Sequence, residues 1–275
     1  MKTQNILHKI SYSALFIALT VILSRFFALP NLFGLSFLKV SFANSVVLFS
    51  SFYLGPIWGL IVGGAADVIG ATLFPQGGGF NPIFTIPALL TGLFPYIFYK
   101  LSDKIKIDKK FPTTLTVLLS AFLIFLITFL SMNDVVSITK KQTYVFDTPL
   151  KVTIISLAVI FSLIYIVGAF LIKWKFKDKK INQLYNINSL LTGMFLTYML
   201  VKNPISSVIS AYVLNYNFLF VLFTKLLAGF FTCLIHSVIV IVALNLTAHL
   251  NMKSALIDEG VFKRIHERRE EKKNN

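Results

Sequence analysis

Charged side chains make up only 13% of this 275-residue chain, about half the share in a soluble domain. That scarcity excludes an ordinary water-exposed surface. Acidic residues are fewer still, 11 against 26 Lys plus Arg, for a formal net charge of +15. The basic residues stand in short runs between apolar stretches, so no continuous basic surface for nucleic acid exists. The lone cysteine, Cys233, sits inside an apolar run, which excludes a disulfide framework and a thiolate metal cluster. His8, His236, His249 and His266 include no pair four residues apart and no carboxylate at ligand spacing, so no metal is expected. No Gly-x-x-x-x-Gly-Lys-Ser/Thr loop occurs, and with it goes that route to ATP hydrolysis. No cofactor is expected, and no convergent nucleophile and base suggests an enzyme. His236 beside Ser237 is read as a histidine bonded to a neighbouring helix, in preference to an intramembrane hydrolase pair.

What is present is apolar, 56% of the chain. Stretches 10–29, 38–54, 56–74, 83–101, 112–132, 150–173, 187–202 and 217–248 are apolar over a length that crosses or nearly crosses the hydrocarbon at about 20 residues per helix. They are apolar on every face where strands of a barrel would alternate, so an all-α polytopic bundle of about eight transmembrane helices is expected. The stretch 187–202 is short and stops ahead of Pro204; the stretch 217–248 is long enough to need tilt, an extension beyond the membrane or a separate first piece. The start of the chain carries no small-x-small cleavage pattern after its apolar stretch, which is therefore read as a span. With the amino terminus inside, 19 of the 26 basic residues fall on the cytoplasmic side. A multi-pass cell-membrane protein with both termini cytoplasmic follows.

Ionisable groups within hydrocarbon are costly and informative. Asp67 closes a stripe in which Gly55, Gly59 and Gly63 precede it at four-residue intervals, placing it at a helix contact. Arg25 and Asp67 lie about 7 Å and about 10 Å below the outer ends of their spans at a helical rise of about 1.5 Å per residue, so an ion pair between them is expected. That pair fits a structural role or a place in a ligand site. Lys225, about 12 Å into the last span by the same rise, fits either a snorkelling interface lysine or a cation aimed at an anionic ligand. Between the third and fourth stretches, Pro75 and Pro82 bracket three glycines in an uncharged loop suited to be a lid. Phe80, Asn81, Phe84 and Thr85 follow with ring surfaces and hydrogen-bonding groups that suit a flat heteroaromatic ligand. Ala14 and Ala18 form a small-x-x-x-small pair for close helix contact.

Several of these residues lie in one run from Phe37 to Phe94: Leu38-Lys-Val-Ser-Phe42, then Gly55-Pro-x-x-Gly59-x-x-x-Gly63-x-x-x-Asp67-x-x-Gly70. Leu73-Phe-Pro75-x-Gly77 follows, and Phe84-Thr85 ahead of Gly92. The run resembles the substrate-binding S components of energy-coupling factor vitamin transporters, most closely their folate group. Ala14-x-x-x-Ala18 is similar to the motif by which S components dock on the coupling membrane subunit, and Leu23-Ser-Arg25-Phe to the end of the folate group's first helix. Pro82-Ile-Phe84-Thr85 departs from the group's Pro-Gly-Phe-Thr.

The resemblance implies a six-span core divided as residues 1–101 and 181–250, an inserted helix pair within 102–180, and a basic and acidic cytoplasmic tail at 251–275. It implies capture of a folate-like vitamin, Arg25 and Lys225 meeting its carboxylates and Phe80, Asn81, Phe84 and Thr85 receiving its rings. The implied partners are a coupling membrane subunit and two cytoplasmic ATPases. The competing readings are an S component for another vitamin and an ion-coupled secondary carrier with Asp67 as its coupling group.

Overall fold

In hydrocarbon every backbone N–H and C=O must find a partner within the protein, and apolar runs of this length satisfy that demand as helices. The computed structural model describes residues 2–29, 40–75, 80–105, 135–139, 142–145, 148–176 and 185–250, with Ile124, Ile127 and Thr128. In chain order the helices are α1 (Lys2–Arg25), α2 (Ala43–Leu54), α3 (Pro56–Leu73), α4 (Thr85–Lys104) and α5 (Thr148–Phe176). α6 (Ile187–Leu196), α7 (Asn203–Leu214) and α8 (Phe218–His249) follow among the described residues. A one-turn 3-10 helix, Pro82–Phe84, leads into α4, and a π-helical turn, Thr197–Lys202, joins α6 to α7. Two antiparallel ribbons accompany them, β1 (Ala28–Leu29) with β2 (Val40–Ser41) and β3 (Val135–Thr139) with β4 (Gln142–Val145).

Among the described residues, five helical segments are long and apolar enough to cross a membrane: Ile6–Arg25, Pro56–Leu73, Pro82–Lys104, Ala158–Phe176 and Phe218–His249. α2 has 12 residues, about 18 Å at the helical rise, short of a bilayer core of about 30 Å. Nine of those residues are buried, so protein and not lipid surrounds it. The expected stretch 38–54 is thus shorter as a helix, because Val40–Ser41 pairs with the chain leaving α1. The expected stretch 187–202 is longer. The helix passes through Pro204 and runs to Leu214, where Asn215 takes the left-handed conformation that ends it. Proline lacks an N–H and crowds the preceding turn, and the wider π turn just before it absorbs both defects. The stretch 217–248 is one uninterrupted helix of 32 residues capped by the Asn217 side chain, which excludes a separate first piece. The expected tail 251–275 and, apart from Ile124, Ile127 and Thr128, the expected span 112–132 lie outside the described residues.

Packing follows the small residues. Between α2 and α3, Gly55 adopts φ 103°, a value that favours glycine, and lets the chain reverse within one residue. α3 then crosses α4 with backbone against backbone: a Cβ on Gly59 would strike the Gly92 carbonyl oxygen, and one on Gly92 the Gly59 carbonyl. One turn on, Gly63 faces the Ala88 carbonyl oxygen. α8 packs on α2, α5, α6 and α7, and the core between them centres on Phe52, Tyr165, Leu190, Tyr198 and Phe230. Helical hydroxyls donate to their own backbone one turn earlier, as Thr91 does to Pro87 and Ser207 to Asn203, which satisfies them without water. Large apolar side chains such as Leu15, Ile57, Leu163 and Val242 face outward, the pattern of a lipid-contacting surface.

The Gly59–Gly92 crossing generates a stability prediction. Gly92→Leu should destabilise the bundle by about 3 kcal/mol, since its Cβ would meet backbone atoms and not a movable side-chain end. Thermal unfolding of the detergent-solubilised protein measures this; an unchanged midpoint would place the crossing elsewhere.

Candidate functional site

Along α8, Lys225, Gly229, Thr232 and His236 recur at intervals of four, three and four, which puts them on one face of an otherwise apolar helix. That face looks into a cavity of about 270 Å³. The rest of its wall comes from Ser24 at the end of α1, Ser41 in β2, Ala43 and Asn44 at the start of α2, and Tyr198, Lys202, Asn203 and Ser206 around the π turn. Ala228 completes it on α8. Two cations, one imidazole and several amides and hydroxyls line it, and no carboxylate does among the described residues.

The polar groups are held by one another. Lys225 donates from Nζ to the Ser206 carbonyl oxygen at 2.8 Å, to Ser206 Oγ at 3.2 Å and to Ser210 Oγ at 2.8 Å, which ties α8 to α7. Lys202 lies 4.3 Å from the centre of the Tyr198 ring and donates to the Tyr198 hydroxyl at 3.3 Å. That hydroxyl bonds His236 Nδ1, and His236 Nε2 lies 3.0 Å from the Ser41 carbonyl oxygen. A carbonyl can only accept, so Nε2 carries a hydrogen; in the neutral ring, Nδ1 then accepts from Tyr198. The result is a directed chain from Lys202 through Tyr198 and His236 to the carbonyl of Ser41 in β2, spanning the π turn, α8 and the entrance to α2. His236 therefore joins neighbouring elements, as read from the sequence, while Ser237 lies against Cys233.

Of the residues singled out in the sequence, Lys225 lines this cavity; Arg25, Phe80, Asn81, Phe84 and Thr85 are not in its wall. Arg25 follows the wall residue Ser24 and sets its guanidinium over α3, where a Cβ on Gly70 would come within 2.8 Å of Nε. Gly70 lies three residues beyond Asp67, whose Oδ2 accepts from Thr85 Oγ1 at 2.8 Å and so binds α3 to the start of α4. Asn81 caps the 3-10 turn through Ile83 N. That turn packs beside α7, the helix that brings Asn203 and Ser206 to the cavity. Gln76 to Gly79 of the expected lid lie outside the described residues. Ala14 and Ala18 are both exposed on α1, facing away from the buried Ser13, Phe16 and Thr20.

Tyr198, Lys202 and Asn203 do not stand out along the sequence, where the seventh apolar stretch ends at 202. The signal for them is a Lys-Asn-Pro run directly after an apolar helix, polar residues at a point where the helix must widen.

A family model described as "ECF transporter, substrate-specific component" matches residues 8–174. Among solved structures, the chain is similar to the "Crystal structure of FolT bound with folic acid", with 38% identity and a TM-score of 0.29. That likeness covers 33% of this chain and spans 52% of the other chain's length. No curated protein matches.

Tyr198→Phe tests the hydrogen-bonded chain. It removes the donor to His236 Nδ1 and the acceptor of Lys202, and should cost about 1–3 kcal/mol of stability. Thermal unfolding again gives the readout, and wild-type stability would show that the chain holds nothing together.

Proposed function

We propose that this chain, which belongs to the family of substrate-specific components of energy-coupling factor transporters, captures a folate-like vitamin at the outer side of the cell membrane and delivers it inward through ATP-driven partners. The observation that carries this reading is the cavity: a polar, cationic chamber inside an otherwise apolar bundle, where ionisable groups are costly without a ligand or pathway to serve. The folate group is favoured by the run from Phe37 to Phe94 and by the two lysines in the cavity wall, which suit a vitamin bearing carboxylates.

In this reading both termini are cytoplasmic, as the distribution of basic residues favours. The cavity then opens to the outer half of the membrane, since it takes in the end of α1, the start of α2 and the first half of α8. We read the chain as eight spans: the five long helices, α2, the helix broken at the π turn, and the apolar stretch 112–132. α5 is the second member of the inserted pair. It packs on α8 and α6, away from Ala14 and Ala18, and so leaves the exposed alanine face of α1 open for the coupling subunit. Lys225 meets the anionic part of the vitamin. Arg25, beside Ser24, meets a carboxylate as well, and Phe80, Asn81, Phe84 and Thr85, on and around the turn that packs beside α7, receive the rings. The Arg25–Asp67 pair holds α1 against α3.

Reconstitution separates this function from an ion-coupled carrier built on Asp67. The protein alone in vesicles should bind folic acid but not accumulate it under a proton or sodium gradient; accumulation should require a coupling subunit and ATPases. Ala14→Trp with Ala18→Trp should leave binding intact and abolish uptake in the assembled complex. Accumulation by the lone protein would overturn the reading, and normal uptake by the tryptophan variant would overturn the docking face.

A further inference from the structure

One wall group of the cavity has no partner among the described residues. Asn203 is 6% exposed, faces the cavity, and its Nδ2 has no hydrogen-bond acceptor there. A buried donor left in this state is a standing cost unless something fills it. Its position is maintained from across the cavity: any side chain at Gly229 would collide with Nδ2, so the glycine leaves room for the amide. Next to it in sequence is Lys202, half-buried and bonded to the neutral Tyr198, and across from it is Lys225, bonded to serine oxygens.

Two lysines and an open amide thus line one small chamber whose described wall contains no carboxylate. Two cations and an open amide in a non-aqueous interior call for a compact acceptor that carries negative charge, because charge-assisted bonds are the strong ones there. We infer that Asn203 Nδ2 and Lys202 Nζ form an oxyanion subsite that seats a carboxylate or phosphate group of the cargo, with the charge of Lys225 across the chamber favouring the anion and Asn203 as the specificity-determining residue. The inference rests on the cavity's being the cargo site. Asn203 selects by geometry what the lysines attract by charge, since a neutral ring system offers nothing to compensate the two ammonium groups.

Calorimetric titration of the purified full-length protein tests this with three probes: folic acid, 6-methylpterin, which has the ring system without a carboxylate, and pyridoxal phosphate. Folic acid should bind at least about a hundredfold more tightly than 6-methylpterin. Asn203→Leu and Lys202→Met should each weaken folic acid about tenfold to a hundredfold, the size of a lost bond to a charged group, and leave 6-methylpterin unchanged. Gly229→Ala, which displaces the amide without removing it, should weaken folic acid in the same direction and serves if Asn203→Leu does not fold. Equal binding of folic acid and 6-methylpterin, or full affinity in the folded variants, would overturn the subsite and leave the transport reading standing. Binding of pyridoxal phosphate in place of folic acid, with the same sensitivity to Asn203 and Lys202, would uphold the subsite and overturn the folate assignment. Binding of none of the three would overturn both.

Discussion

Everything in this molecule answers to the absence of water around its middle. A polar group there must be bonded inside the protein, and the bundle gathers such groups onto one internal seam. Lys225 reaches Ser206 and Ser210, and Lys202, Tyr198, His236 and the Ser41 carbonyl follow one another across three elements. The opposite requirement, close approach of apolar helices without a hydrophobic drive, is met by glycine. Gly59 and Gly92 let α3 and α4 meet backbone to backbone, and dispersion attraction across that crossing holds the two helices together where lipid tails offer no push.

These two solutions divide the bundle. The α3–α4 side is tightly crossed, with Asp67 and Thr85 as a polar link. The α7–α8 side is looser and carries the cavity, with polar side chains on both facing helices. α5 lies beyond α8 and adds Tyr165 and Ala169 to the central core, so this helix thickens the cavity-bearing side without entering its wall.

Hydropathy made α1, α3, α4 and α8 legible, because lipid contact demands long apolar runs and little else produces them. It misjudged the ends of shorter elements, where a competing rule acted. Leu38 to Phe42 reads as apolar, yet Val40–Ser41 pairs with Ala28–Leu29 as a ribbon and the helix starts only at Ala43. Pro204 reads as a stop, yet a π turn carries the helix across it. The site followed the same pattern. Lys225 stood out as a charge within a run, whereas Asn203 is an ordinary polar residue whose importance lies in facing Gly229 from another helix, a relation invisible along the chain. His236 was legible as a contact residue because a lone imidazole in hydrocarbon must bond to something.

The π turn at Thr197–Lys202 has a bearing on how this chain tolerates insertion and deletion. A π turn holds one residue more than regular helical winding, and each residue of an α-helix advances the azimuth by about 100°. Loss of a single residue there would restore ordinary winding with α7 nearly in register, whereas loss of a second, with no extra residue left to absorb it, would swing every side chain of α7 by about 100° around its axis. Asn203, Ser206 and Ser210 would then point at neighbouring helices or lipid, and the chamber would close without any of its own residues having changed.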